Sequence, residues 1–159
     1  MRIPPADYVD QVHRLRARYP RGRSAIMGAL RLAQERHEGW LPPEALEEVA
    51  YAMDVTPAHA EAVASFYDMY NLALVGEHVV EVCTNVSCAL VGAQQVVDAF
   101  SEELGIRPGE TSDDGKVTLR TIECAGGCGY APVVVLDHRY REPTRPEDVR
   151  AIVEELRNG

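Results

Sequence analysis

Four cysteines, Cys83, Cys88, Cys124 and Cys128, are the only ones in the 159-residue chain, and they fall into two close pairs. The pairs read Cys83-Thr-Asn-Val-Ser-Cys88 and Cys124-Ala-Gly-Gly-Cys128, with four and three residues inside them and 35 between them. The opening stretch, MRIPPADYVDQVHRLRARYP, scatters charges and shows neither the apolar core nor the small-residue cleavage site of a secretory signal, so the expected location is the cytoplasm. A reducing compartment disfavours structural disulfides, which turns the two pairs into candidate metal ligands.

Several thiolate sites compete for that reading. Structural zinc prefers tighter knuckles with two residues between cysteines, which leaves a zinc-stabilised interaction module as the weaker alternative. A Rieske centre needs two histidines in place of two cysteines, and no histidine lies inside either loop; a plant-type ferredoxin needs three cysteines in one loop. The spacing favours one [2Fe–2S] cluster, whose four thiolates, two ferric ions and two sulfides carry a net charge of about −2, falling to about −3 on reduction. Backbone amides are the means at hand to stabilise that charge. Gly126, Gly127 and Gly129 are expected to let backbone approach sulfur closely and adopt positive φ, and Cys88 to lie where the amide end of a helix faces the anion.

The elements that must position the thiols divide the chain in two. Residues 1–76 read as a helical bundle. Tyr8, Val12 and Leu15 recur at helical spacing over 6–17 before the Tyr19-Pro20-Arg21-Gly22 break. Ser24 is expected to cap a second helix to Glu38, closed by Gly39. Pro42-Pro43 opens a third over 44–53, and Thr56-Pro57 a fourth whose body runs over 60–66.

Residues 77–159 read as β-α-β-β-α. A β-branched run at 78–82 leads into Cys83, and 88–104 has helical spacing with Leu90, Val91, Val97 and Phe100 as apolar anchors and Gly105 as its stop. A loop with an Asp-Gly turn covers 107–115, and a strand over 117–123 delivers Cys124. Further strands are expected over 132–137 and 140–142, and Pro146 opens a last helix to Leu156. Both pairs then sit at strand ends, where they can converge on one edge of a sheet.

Bulk properties bound the function. Apolar residues make up 46% and charged residues 26%, a globular composition with no run long enough to span a membrane. The formal charge of −9 disfavours nucleic acid, whose phosphates need a basic face. The arginine-rich run at 13–23 reads as a solvated helix face and turn, with a docking patch for an acidic partner as the weaker alternative. No Gly-rich nucleotide fingerprint follows a strand, so the chain by itself is expected to bind neither NADH nor FMN.

The segments at 24–50, 63–72, 81–93 (EVCTNVSCALVGA) and 121–137 (TIECAGGCGYAPVVVLD) together resemble the thioredoxin-like [2Fe–2S] ferredoxins, and within them the E subunits of respiratory NADH:quinone oxidoreductase. The resemblance implies a fold of mixed class (α+β/α/β), an N-terminal helical bundle followed by a thioredoxin-like [2Fe–2S] domain. It carries the ligand role to Cys83, Cys88, Cys124 and Cys128 without departure. It implies an electron-transfer subunit of an NADH dehydrogenase complex, peripheral to the membrane, exchanging single electrons with the FMN of a partner flavoprotein that also holds the NADH site. The equivalent subunit of an NAD-linked hydrogenase or formate dehydrogenase is a related alternative. An independent ferredoxin is another, against which the helical extension argues.

The remaining candidates read as packing or solvated surface. His37 and Trp40 suit a helix end and a packed aromatic, and Phe66, Tyr67, Met69 and Tyr70 suit packing between the helices and the second half of the chain, with a partner surface as the weaker alternative. Tyr130, Ala131 and Pro132 follow the fourth cysteine and are expected to shield the cluster from water. Asp98, Glu102, Glu103 and Glu123 have no nucleophile or pocket beside them and read as surface.

Overall fold

The structure, a computed structural model, describes residues 3–158; the first two residues and the last, which open and close the two expected regions, lie outside the described residues. The chain divides into two compact units, residues 1–74 and 75–159.

The first unit contains four helices, α1 (Ala6–Arg16), α2 (Ile26–Arg36), α3 (Pro43–Met53) and α4 (Pro57–Ala64). Their apolar stripes meet in one core that includes Tyr8, Val12, Leu30, Leu41, Val49 and Ala60. Buried polar atoms in this core are satisfied, as burial demands. The Tyr8 hydroxyl donates to the Ala29 carbonyl (3.0 Å) and that of Tyr70 to Met27 (2.7 Å). Gln34 Nε2 donates to the Met69 carbonyl at 3.0 Å while its Oε1 accepts the Asn71 amide at 2.8 Å, so one side chain ties down the segment leaving the helices. His37 Nε2 lies 3.1 Å from the buried Glu48 carboxylate.

Three expectations need correction here. Ser24 does not cap α2: it sits in a 3-10 turn over Gly22–Ala25, and backbone bonding within that turn replaces a side-chain cap. Thr56 does cap α4, accepting the His59 amide at 3.2 Å, but the helix stops at Ala64. Beyond it no helical face aligns the aromatic stripe: Tyr70 is buried, whereas Phe66, Tyr67 and Met69 are exposed.

The second unit is built on a four-stranded sheet in the order β2-β1-β3-β4, from β1 (His78–Cys83), β2 (Val117–Ile122), β3 (Val134–Leu136) and β4 (Arg139–Arg141). β1 runs parallel to β2, in register from His78 opposite Val117 to Cys83 opposite Ile122. β3 and β4 form an antiparallel hairpin beside β1. Parallel neighbours require a long crossover, and here it contains α5 (Val86–Leu90) and α6 (Ala93–Leu104). α6 packs on α7 (Val149–Asn158), whose Val149, Ile152, Val153 and Leu156 form the i, i+3, i+4, i+7 stripe of a one-faced helix. Val80, Val82, Leu119, Val134 and Leu136 share one buried core with Phe100 and the apolar faces of these helices.

The helix expected over 88–104 is interrupted. Gly92 adopts φ +102° and separates α5 from α6, a left-handed conformation open to glycine and costly for other residues. The break turns α5 away from the apolar face, leaving Leu90 and Val91 82% and 55% exposed, while Val97 and Phe100 remain buried. Cys88 therefore lies inside the short α5, two residues after its first residue, rather than at the start of a long helix.

Candidate metal centre

The parallel pairing of β1 with β2 aligns their C-terminal ends, so Cys83, the last residue of β1, lies beside Ile122, two residues before Cys124. Two backbone bonds fix this edge: the Cys83 amide donates to the Val133 carbonyl and the Thr84 amide to that of Ile122, each at 3.0 Å. Asn85 starts α5 with its side-chain oxygen on the Val86 amide at 2.8 Å, and α5 carries Cys88 back toward Cys83. The two sulfurs come within hydrogen-bonding reach of each other. Both residues are buried in a small apolar nest with Ala93, Val133 and Val135.

Cys124 and Cys128 lie on the exposed side, in irregular chain and at the start of a 3-10 turn over Cys128–Tyr130. The Tyr130 amide closes that turn on the Gly127 carbonyl at 2.9 Å. The Cys128 sulfur is close enough to act electrostatically on Cys88. All four cysteines are free thiols. Among the described residues, no three His, Cys, Asp or Glu side chains gather to share one metal ion; a two-iron cluster asks only for two thiolates per iron, the sulfides completing each sphere.

The electrostatics of the buried pair are set by backbone donors. Burial pushes the Cys83 thiol up, but hydrogen bonds from the Ala125 and Asn85 amides and from Cys88 bring it below the usual thiol range, against a small repulsion from Glu123. Cys88 moves the other way: burial raises it, the Val133 amide offsets part of that, and the Cys83 and Cys128 sulfurs add repulsion. An anionic sulfur at Cys83 is thus stabilised in a nearly dry place.

Only part of the glycine expectation holds. Gly126 has φ +82°, whereas Gly127 has φ −99°. At Gly127 space is tight instead: an added Cβ would fall 2.9 Å from Glu142 Oε2, the free end of a flexible side chain, and 3.0 Å from Val133 Cγ2, so both neighbours would have to give way. Gly129 is crowded by nothing within 4 Å. Tyr130 is 64% exposed, so of the three residues expected to shield the site only Pro132 is buried. Sequence reading missed the Ala125 and Val133 amides and the Tyr140 hydroxyl, which donates to the Ala125 carbonyl; none of them carries a compositional signal. Asn85 does carry one, since asparagine before a short helix is a capping residue.

The α/β unit thus presents two pairs of free thiols near the C-terminal ends of two parallel strands, with backbone amides on the two buried sulfurs. The model for thioredoxin-like [2Fe–2S] ferredoxins matches residues 12–157, and the chain belongs to that family. It is 43% identical over 136 residues to the E subunit of the NADH-quinone oxidoreductase of Rickettsia bellii, covering 86% of this chain and 81% of that protein. The second subunit of the NADH-quinone oxidoreductase of Thermus thermophilus is 39% identical over 156 residues, covering 96% of this chain and 86% of that one. The corresponding E subunit of Mycobacterium tuberculosis is 42% identical over 89% of this chain, which spans 56% of its length. Among solved structures, an NAD+-reducing [NiFe]-hydrogenase in the air-oxidised state superimposes with a TM-score of 0.69 over 80% of this chain and 22% of that one, at 20% identity. That likeness is one of fold.

Proposed function

We propose that this chain is the iron–sulfur electron-transfer subunit of an NADH:quinone oxidoreductase. In this reading Cys83, Cys88, Cys124 and Cys128 hold one [2Fe–2S] cluster that exchanges single electrons with the FMN of a flavoprotein subunit, where NADH also binds. What supports it most is the placement of the buried Cys83–Cys88 pair at the end of β1, beside the end of β2 that leads into Cys124, with Cys128 near Cys88 and backbone N–H groups on the buried sulfurs. The donor set fits the group: four thiols, and backbone amides that favour an anionic sulfur at Cys83. When bound, the cluster supplies a one-electron couple.

The rest of the work belongs to the chain. Cys83 and Cys88 anchor the inner side in the apolar nest formed with Val133 and Val135, which limits water and strengthens every local dipole. Cys124 and Cys128 face outward, so electrons cross on that side. Val86 and Leu90 on α5, Val91 just after it, and Tyr130 in the turn that begins at Cys128 are exposed, apolar side chains of the kind a partner covers. The helical bundle of the first unit belongs to a fixed subunit, since a diffusible carrier has no use for it. No described helix is long and apolar enough to cross a membrane, and attachment through the complex, on the cytoplasmic side, follows from the same reading. The parallel role in an NAD-reducing hydrogenase is the second reading; the 43% identity to a quinone oxidoreductase subunit favours the first.

Anaerobically purified protein is expected to hold two irons and two acid-labile sulfides per chain, with a visible spectrum bleached by dithionite. Serine at any of the four cysteines should lower that content or alter the spectrum. From cells, the chain should co-purify with an FMN-containing NADH dehydrogenase and quinone-reductase subunits. Colourless protein with stoichiometric zinc would overturn the cluster; a cluster-bearing monomer with no flavoprotein neighbour would overturn the partner.

A further inference from the structure

Tyr140 lies on β4 directly opposite Val135 of β3, and residues paired across antiparallel strands share a face. Val135 belongs to the apolar nest that holds Cys83 and Cys88, so the register sends the Tyr140 side chain toward the thiol edge rather than toward α6 and α7. The residue is 53% exposed, and a tyrosine so placed can satisfy its hydroxyl with water. Here the hydroxyl donates instead to the carbonyl of Ala125, inside the Cys124–Cys128 loop. Ala125 in turn donates its own N–H to the Cys83 sulfur.

The next residue makes this tether consequential. Gly126, at φ +82°, is a conformationally permissive joint, and the loop between the end of β2 and the turn at Cys128 has no regular structure. Without a hold on its carbonyl, Ala125 loses a fixed point in an irregular loop, and the N–H that meets the Cys83 sulfur is held there less closely. An N–H aimed at a cluster sulfur stabilises the reduced form more than the oxidised, because reduction adds negative charge where the donor points.

We propose that Tyr140 is a positioning residue of the cluster: by fixing the Ala125 carbonyl it holds the Ala125 N–H on Cys83 and raises the reduction potential. The inference rests on the cluster assignment made above. It adds a residue 12 positions beyond Cys128, on a separate strand and outside the ligand set.

The test is a mediator-poised redox titration of the full, cluster-loaded chain, read by the electron paramagnetic resonance signal of the reduced cluster, for wild type, Tyr140→Phe and Tyr140→Gln. Tyr140→Phe keeps the ring and removes the donor. It is expected to bind two irons, to unfold in urea with the wild-type midpoint, and to titrate at a lower potential. At the wild-type midpoint its reduced-to-oxidised ratio should fall severalfold, where tenfold corresponds to 59 mV for one electron. Tyr140→Gln restores an N–H donor for the same carbonyl and should lie between the two. Loaded Tyr140→Phe at the wild-type potential, or both variants shifted equally, would overturn the proposal. Should the Phe variant fail to load, a Gln variant that loads at the wild-type potential supports the tether, and one no nearer to wild type than a ring-deleting Tyr140→Ala overturns it. Wild-type protein without iron is a separate result, and it refutes the cluster assignment itself.

Discussion

Leu90→Ala is the sharpest test of how this chain is built, because an unbroken helix and the observed break at Gly92 give opposite answers. Were 88–104 one helix with Leu90 on its apolar face, truncation would remove a core side chain at a cost of about 2–5 kcal/mol. In the structure Leu90 is 82% exposed, so most of its surface is hydrated before and after the change, and the effect should stay within about 0.5 kcal/mol. Phe100→Ala is the internal standard: fully buried among Val80, Val96 and Leu119, it should cost about 3–5 kcal/mol. At roughly 0.05–0.15 kcal/mol per residue, the 75–159 unit holds only ~4–13 kcal/mol, so that loss is a large fraction of the total. Urea unfolding by far-UV circular dichroism reads both, and the fluorescence of Trp40, the single tryptophan, follows the first unit separately. A loss above about 1.5 kcal/mol in Leu90→Ala would refute the break and restore the continuous helix.

Other outcomes follow from local geometry. Thr56→Ala should cost the first unit about 1 kcal/mol, since it removes the side-chain cap on the His59 amide; an unchanged Trp40 unfolding midpoint would contradict that role. Gly126→Ala should cost about 1–2 kcal/mol through its backbone at φ +82° although no atom but the Tyr140 hydroxyl, at 3.9 Å, comes near. Gly127→Ala, by contrast, should be crowded, with part of its cost recovered by Glu142→Ala; equal behaviour with and without Glu142 would count against the contact. Burial pushes Tyr70 up to about 12 and raises Tyr8 as well. An unfolded tyrosine ionises near 10, so between pH 10 and 12 the unfolded state sheds protons that the folded state keeps. Stability present below pH 10 then falls by ~1.4 kcal/mol per pH unit for each of the two. Trp40 fluorescence in urea across that range checks it, and a flat profile would refute it.

Much of this arrangement is legible in the residues, for physical reasons. β-Branched runs end on Cys83 and near Cys124, and strand period is a strong signal; Pro57 after Thr56 marks a helix start because both residues suit that end. The failures lie where tertiary context decides. Glycine in a helical pattern costs only about 1 kcal/mol, so Gly92 alone did not reveal a break, and Leu90 and Val91 looked like core. Ser24 looked like a cap because its chemistry permits one, yet backbone bonding in the preceding turn took its place. At the metal centre the ligand candidates stand out by residue type, whereas the amides of Ala125 and Val133 belong to residues with no distinguishing side chain and become visible only once the sheet sets their direction.

The parallel pairing of β1 and β2 also sets a timetable. Cys83 leaves the ribosome 41 positions ahead of Cys124, an interval of roughly 2–8 s at ordinary synthesis rates of about 5–20 residues per second. Through that interval β1 has no β2 to align with, and the two thiols that end most hidden, Cys83 and Cys88, are the first offered to solvent. Iron delivered early would find half a site, and oxidant arriving early would find a reactive vicinal pair. On the proposed ligand set, the order of emergence leaves the site incomplete until the crossover has closed and β2 has paired with β1.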